Sequence, residues 1–285
     1  ITTDVLAARS GQGPSKLAYS IRSTDRAIPA RVCGELAQER HQAHLLNLQQ
    51  GNSSTPSPAP AVQLTFTGSA GQGFGVFLTD GLTVKLTGEA NDSVCKSMSG
   101  GQVVIAPTPE AQLDPEHSSI IGNCALYGAT GGELYIRGLA GDRFAVRNSG
   151  ATTVVNGAGM HACGYMTAGT VVILDHLSHN VGAGMTGGTL FCRRDKVDML
   201  NTDYIAPYAL TPNDLEQLST LLKQHVELTG STTAQNLLNT GDALAEIFVR
   251  CVPATRPNKV QEKKKTTVEA DSARPNTSTP SSANR

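Results

Sequence analysis

Tryptophan is absent from this chain and aromatic residues make up only 4% of it, whereas glycine occurs 29 times in 285 positions. Such a composition asks first for a search for internal periods. Neither sign of charge is in surplus: 23 basic and 24 acidic residues give a formal net charge of -1, which offers no attraction for nucleic acid or an anionic membrane. Long apolar runs are missing too. The longest, such as residues 103–106 and 171–174, fall far short of the roughly 20 residues that span a bilayer. Six cysteines (Cys33, Cys95, Cys124, Cys163, Cys192 and Cys251) stand apart with no CxxC, so their spacing assembles neither a zinc knuckle nor an iron-sulfur ligand set. Free, mostly buried thiols in a reducing compartment are expected, and the sequons at Asn52, Asn91 and Asn276 are then accidental. The chain opens on Ile1 with no basic-then-apolar leader, which sets the expectation of an excerpt from a longer polypeptide outside the secretory route.

What is present is a pattern of small residues. The stretch "NVGAGMTGGTLFC", residues 180–192, holds Gly182, Gly184 and Gly187 in the spacing GxGxxG. A dinucleotide loop of this form needs a strand just before it and a helix opening on its last glycine. The strand-like run 171–174 is separated from it by residues 175–179, and Thr189-Leu190-Phe191-Cys192 favours another strand over a helix. A repeat explains the glycines better. With Leu82, Gly101, Gly132, Ala151, Gly169 and Gly188 in one column, the steps are 19, 31, 19, 18 and 19. The long step becomes 19 if residues 107–118, "PTPEAQLDPEHS", form a 12-residue insertion looping out of one repeat.

The neighbouring columns agree with that register. Gly81, Gly100, Gly131, Gly150, Ala168 and Gly187 precede it, and Asp80, Ser99, Thr130, Ser149, Thr167 and Thr186 precede those. Two places after the reference come Val84, Val103, Leu134, Thr153, Val171 and Leu190; four places after come Leu86, Ile105, Ile136, Val155, Ile173 and Cys192. Alternation by two marks a strand, and only Thr153 breaks it. The period predicts a mainly β fold, a parallel β-solenoid with coils of about 19 residues, glycine corners and like side chains stacked above like. Gly182 and Gly184 then belong to a small-residue wall filled elsewhere by Val76, Ala125 and Ala145.

Flanking segments read as helices and linkers. Thr24 or Asp25 can cap a helix carrying Ile28, Val32 and Leu36, with Pro29 in its first turn. "QQGNSSTPSPAPA" reads as a flexible linker before a first solenoid strand at residues 62–66. Downstream, Thr211 as N-cap, Pro212 and Asp214 open a helix with the stripe Leu215, Leu218, Leu222 and Val226, ended by Gly230; a shorter helix follows near residues 234–238. The predicted organisation is an N-terminal helix and linker over 1–58, the β-helix over 59–193, a helical cap over 194–252 and a disordered tail over 253–285.

Candidate sites are few. His41 with His44, and His176 with His179, have the i,i+3 spacing of a helical metal pair but no third ligand in reach, and read as surface histidines. His161 and Cys163 would share one face of a strand, with Cys163 in a packing column beside Cys95 and Ala145. Arg137, Asp142, Arg143 and Arg147 gather near one coil, either as a docking surface or as solvated charges with local ion pairs. Lys263, Lys264 and Lys265 read as solvated. No residue is assigned a catalytic, cofactor-binding or metal-binding role.

"IRSTDRAIPARVCGELAQER", "FTGSAGQGFGVFLTDGLTVKLTGEANDSVCKSMSGG", "IIGNCALYGATGGELYIRGLAGDRFAVRNSGATTVV", "GYMTAGTVVIL" and "HVELTGS", in this order over residues 19–253, resemble the C-terminal GXGXG domain of the glutamate synthase large chain. The resemblance implies a right-handed parallel β-helix. It also implies a parent enzyme that adds glutamine-derived ammonia to 2-oxoglutarate and reduces the product to glutamate. The amidotransferase cysteine, the FMN site and the iron-sulfur cysteines of that family lie in upstream domains, so this segment is expected to bind no cofactor itself and to brace those domains. Pro29, the long linker and Ala168 depart from the family pattern. The ending after "FVRCVP" is unlike the NAD(P)H-dependent chains and leans toward ferredoxin as electron donor, in a plastid or a cyanobacterium-like cytoplasm. Two other readings stand beside this one. A β-helix subunit of another redox enzyme, such as formylmethanofuran dehydrogenase, should lack the "STDRA" and "HVELTGS" segments, and a nucleotide-binding module should bind NAD or FMN.

Overall fold

The computed structural model describes residues 1–49, 61–111, 114 and 116–254. Most of the expected linker (residues 50–60), part of the insertion (Gln112, Leu113 and Pro115) and the expected tail beyond Ala254 lie outside the described residues.

Strands β1 (Lys16–Ile21), β2 (Val62–Ala70), β3 (Leu82–Ala90), β4 (Ser99–Ala106), β5 (Ser119–Ile121), β6 (Gly131–Ala140), β7 (Ser149–Ala158), β8 (Ala168–Leu177) and β9 (Thr189–Arg193) carry the fold. They are hydrogen-bonded in the order β1-β2-β3-β4-β6-β7-β8-β9, every pair parallel, with β5 bonded to β3 and β6. This is a β-solenoid. Thr83, Gln102, Glu133, Thr152, Thr170 and Thr189 are successive partners, so the reference column read from the sequence lies one residue before each of them. Both inward columns are buried in every coil. Thr153, the polar exception, donates its hydroxyl to the Leu134 carbonyl at 2.7 Å and leaves no unsatisfied group inside.

The chain enters the solenoid earlier than expected. β1, not residues 62–66, is the first strand, with Tyr19 opposite Phe66 and their rings stacked at 5.7 Å. Before it lies helix α1 (Thr2–Arg9), and after it α2 (Ala30–Gln49). Thr24 and Asp25 do not cap α2: Asp25 accepts from the Arg22 N–H in a separate turn, and Ala27 has φ 53°, which ends any helical run before Pro29. Val32, Cys33 and Leu36 anchor α2, whereas Gly34 is exposed with nothing within 4 Å of the position a β-carbon would take. Gly34→Ala is therefore expected to raise stability by about 0.5–1 kcal/mol, read from the shift in a denaturant melt.

Past β9 the chain builds a cover. It contains β10 (Ile205–Tyr208), α3 (Pro212–Thr229), α4 (Thr232–Asn239), α5 (Leu244–Ile247) and β11 (Phe248–Pro253). β11 pairs antiparallel with β9, and β10 pairs antiparallel with β11, so the open edge of the last coil is closed by two strands that the sequence reading did not foresee. The capping box of Thr211 and Asp214 opens α3, and Gly230 at φ 68° ends it as read. A second core forms under these helices. Tyr135, Val154, Val172 and Phe191 face outward from β6 to β9 and meet Leu218, Leu221, Leu222, Leu237 and Phe248. Both faces of this part of the sheet are buried.

Candidate functional site

The glycine-bearing corner is an arch of five residues repeated at 73–77, 93–97, 124–128, 143–147, 161–165 and 180–184. In every arch the first, third and fifth residues are left-handed, with φ between 54° and 74°. Only Gly73, Gly75, Gly128, Gly182 and Gly184 of these positions are glycine. The rest hold a conformation disfavoured for side chains by roughly 1–2 kcal/mol each, which the ladder itself must outweigh. Alternation supplies the means. Amides of the outer ladders donate to the next coil, as Arg143 N–H does to the Met160 carbonyl, while those of the middle ladder donate back, as Ala145 N–H does to the Ala125 carbonyl. Each arch is thus hydrogen-bonded to both neighbours.

The GxGxxG stretch belongs to this architecture. Gly182 N–H donates to the Ala162 carbonyl at 2.8 Å, Gly187 N–H donates to the Met166 carbonyl at 3.3 Å, and a strand follows. These donors are committed to the fold. The middle ladder runs Gly75, Cys95, Leu126, Ala145, Cys163 and Gly182, so Gly75 and Leu126 stand where Val76 and Ala125 were expected. The first coil carries one extra residue between arch and strand, which the strand columns do not reveal. A further ladder has no counterpart among the sequence columns: Asp92, Asn123 and Asp142 each accept, through Oδ1, the main-chain N–H of Asn123, Asp142 and Met160 in the following coil, all at 2.8 Å.

Other sequence candidates are dispersed. His41 and His44 are exposed on α2; His176 lies in β8 rather than on a helix. His161 and Cys163 do not share a strand face, because the left-handed arch turns Cys163 into the core and leaves the His161 ring against the Asn180 amide at 2.8 Å. Cys163 does share its ladder with Cys95 and Ala145. Burial pushes the Cys33 thiol up to about 11 and the Cys95 and Cys163 thiols higher, the wrong direction for a nucleophile. Cys192 and Cys251 have sulfurs 3.6 Å apart, and their hydrogen bond, with burial, raises Cys251 as well. No group of three His, Cys, Asp or Glu that could hold a metal occurs among the described residues. Nor, among the described residues, is any helix long and apolar enough to cross a membrane.

The charge cluster divides in two. Arg143 and Arg147 are exposed on the arches, and Asp142 serves the side-chain ladder described above. Arg137 instead pairs with Glu116 of the insertion at 3.2 Å. That carboxylate also accepts from the Thr232 N–H at the start of α4, from the Thr232 hydroxyl and from the Asn156 amide. Burial pushes its pKa up, but hydrogen bonds from Thr233, Thr232 and Arg137 together hold it below the ordinary glutamate range. Glu116 therefore ties the insertion and the solenoid to the helical cover. Glu116→Gln is expected to cost about 1–3 kcal/mol and to speed amide exchange at the start of α4, measured by hydrogen exchange.

Beside this clamp, His225 of α3 is fully buried and stacked on Tyr135, centroids 6.1 Å apart. Among the described residues, neither ring nitrogen nor the Tyr135 hydroxyl has a hydrogen-bond partner. Burial drives the His225 pKa down to about 4, with Glu116 opposing and Arg137 reinforcing the shift. Apolar periodicity could not find this residue.

Comparison with known proteins agrees with this architecture. The GXGXG motif family matches residues 1–254. The chain is 41% identical over 258 residues to ferredoxin-dependent glutamate synthase 2 of Synechocystis sp., covering 89% of this chain and 16% of that protein. Its identity to the chloroplastic ferredoxin-dependent glutamate synthase 2 of Arabidopsis thaliana is 43% over 238 residues, and to the chloroplastic enzyme of Spinacia oleracea 41% over 237 residues, each 82% of this chain and 14% of the relative. The chain thus spans 14–16% of the length of these relatives. With its repeated arches, their spacing and the match over nearly every described residue, the chain belongs to the GXGXG family.

Proposed function

We propose that this chain is the C-terminal scaffold domain of a glutamate synthase large chain, bracing the amidotransferase and FMN-binding domains without catalysing a step itself. The observation that carries this reading is identity of 41–43% over 82–89% of the chain to proteins named as ferredoxin-dependent glutamate synthases. The physical character of the solenoid supports it. Coils bonded at both strand and arch make a stiff rod, whose quasi-one-dimensional build holds attached elements at a fixed spacing. Its internal thiols are deeply buried and its arch amides bond neighbouring coils, which suits support rather than chemistry.

In the parent enzyme, ammonia released from glutamine is added to 2-oxoglutarate, and the product is reduced to glutamate. FMN and an iron-sulfur cluster would supply the electron transfer from domains outside this segment. Ferredoxin is the donor proposed here, because the relatives carry it in their names, and a plastid or cyanobacterial cytoplasm is the corresponding location. The test is an assay of the full-length polypeptide beside the segment. The full chain is expected to form glutamate with reduced ferredoxin and not with NADPH, and the segment alone to form none. Glutaminase or glutamate synthesis by the segment alone would overturn the scaffold reading.

A further inference from the structure

Along the arches, folding alone gives no account of the residue choice. One left-handed ladder runs Phe77, Ser97, Gly128, Arg147, Tyr165 and Gly184, traced by hydrogen bonds such as Phe77 N–H to the Lys96 carbonyl and Tyr165 N–H to the Ala183 carbonyl. Phe77, Arg147 and Tyr165 have φ of 58°, 56° and 54°. Glycine adopts this conformation freely, and the same ladder uses it twice; a bulky residue is strained there. Burial does not offset the strain, because Phe77 is 56% and Tyr165 63% exposed. Met160, beside the flanking ladder, is 43% exposed. Arg143 and Arg147 are exposed as well, and neither has an ion-pair partner among the described residues.

Rings at the two ends of a strip about 19 Å long, four rungs of ~4.8 Å, with guanidinium groups between them, make the composition found at the centres of protein interfaces. We propose that this arch edge, formed by Phe77, Arg143, Arg147, Met160 and Tyr165, docks against an acidic, apolar-centred surface supplied by the rest of the same large polypeptide. The proposal rests on the reading of the chain as a glutamate synthase domain. Two facts select the occupant. The matched region is only 14–16% of its relatives' length, so a tethered partner surface is present at high effective concentration. Unpaired guanidinium groups also call for carboxylates opposite them, since Asp142 on that edge already accepts a main-chain N–H.

Hydroxyl-radical footprinting of the full-length polypeptide, read by mass spectrometry and normalised to the unfolded chain, tests this. Phe77, Met160 and Tyr165 are expected to be protected about tenfold, independently of protein concentration. The Arg143→Glu/Arg147→Glu variant is expected to lose most of that protection, and full protection in it would overturn the acidic partner. Protection below about twofold in the unsubstituted chain, as the side-chain exposure of the segment alone implies, overturns the docking surface. Protection that fades on dilution overturns the choice of occupant and points to a second copy. Glutamate formation is assayed on the same preparation. A chain that turns over with a reactive strip refutes the docking surface alone; a protected strip without glutamate synthesis supports docking and refutes the functional reading alone.

Discussion

Gly187→Val is expected to abolish folding or to destabilise the chain by more than about 4 kcal/mol, because no side-chain movement can relieve what the substitution creates. A β-carbon on Gly187 would sit 2.0 Å from the Thr167 carbonyl oxygen of the preceding coil, and one on Gly150 would sit 2.2 Å from the Thr130 carbonyl oxygen. In both cases the obstacle is a main-chain carbonyl and not a movable side chain. Gly187 has no left-handed φ, so its requirement is for close approach and not for conformational freedom. Gly128 provides the opposite case: it is left-handed at φ 64°, with nothing within 4 Å of the added carbon. Gly128→Ala should lose only about 1–2 kcal/mol, the conformational penalty alone. Soluble yield and denaturant midpoints of the two variants separate these mechanisms, and a Gly187→Val protein that melts with the unsubstituted chain would remove the close-packed corner.

Acidification is expected to weaken the fold through His225 by about 3 kcal/mol between neutral pH and pH 4. The folded ring titrates near 4 against 6.5 in the unfolded chain, so between those values the unfolded state binds a proton that the folded state refuses. Stability therefore falls as pH drops through that window and levels off below it. Other groups titrate nearby: Asp114 raises the exposed His117, which opposes the trend, and Glu116 loses its clamp at lower pH still. The comparison with His225→Phe isolates the term. Phenylalanine keeps the stack on Tyr135 and removes two unpartnered nitrogens, so it should be neutral or stabilising at pH 7 and should flatten the slope between pH 4 and 6.5. Equal pH slopes in the two proteins would contradict the buried neutral ring.

The parts of the fold governed by side-chain repetition were legible in the sequence. The strand columns, the insertion after β4 and the capped helix α3 follow from periods, polar runs and cap residues that need no tertiary information. The arches were less legible, because residues such as Leu126, Arg143 and Cys163 carry no signature of a left-handed backbone; only the stacked amides hold them there. Tyr135, Val154, Val172 and Phe191 fall between the inward columns, and their apolar character announces a second buried face only once helices are placed over it. Glu116 lies in the polar insertion over residues 107–118, which the repeat spacing places only as a loop out of one coil. Its partners Arg137, Asn156 and Thr232 are distant in sequence, so neither charge nor spacing indicates the clamp.

Successive coils stack so that every arch repeats one left-handed pattern. An experimental structure at high resolution measures this directly at the middle ladder. Leu126, Ala145 and Cys163 should each show φ near +57°, one above another at a rung spacing of ~4.8 Å, with Gly187 pressed against the Thr167 carbonyl. Ordinary right-handed or extended φ at those residues, or coils offset so that they no longer face one another, would contradict it.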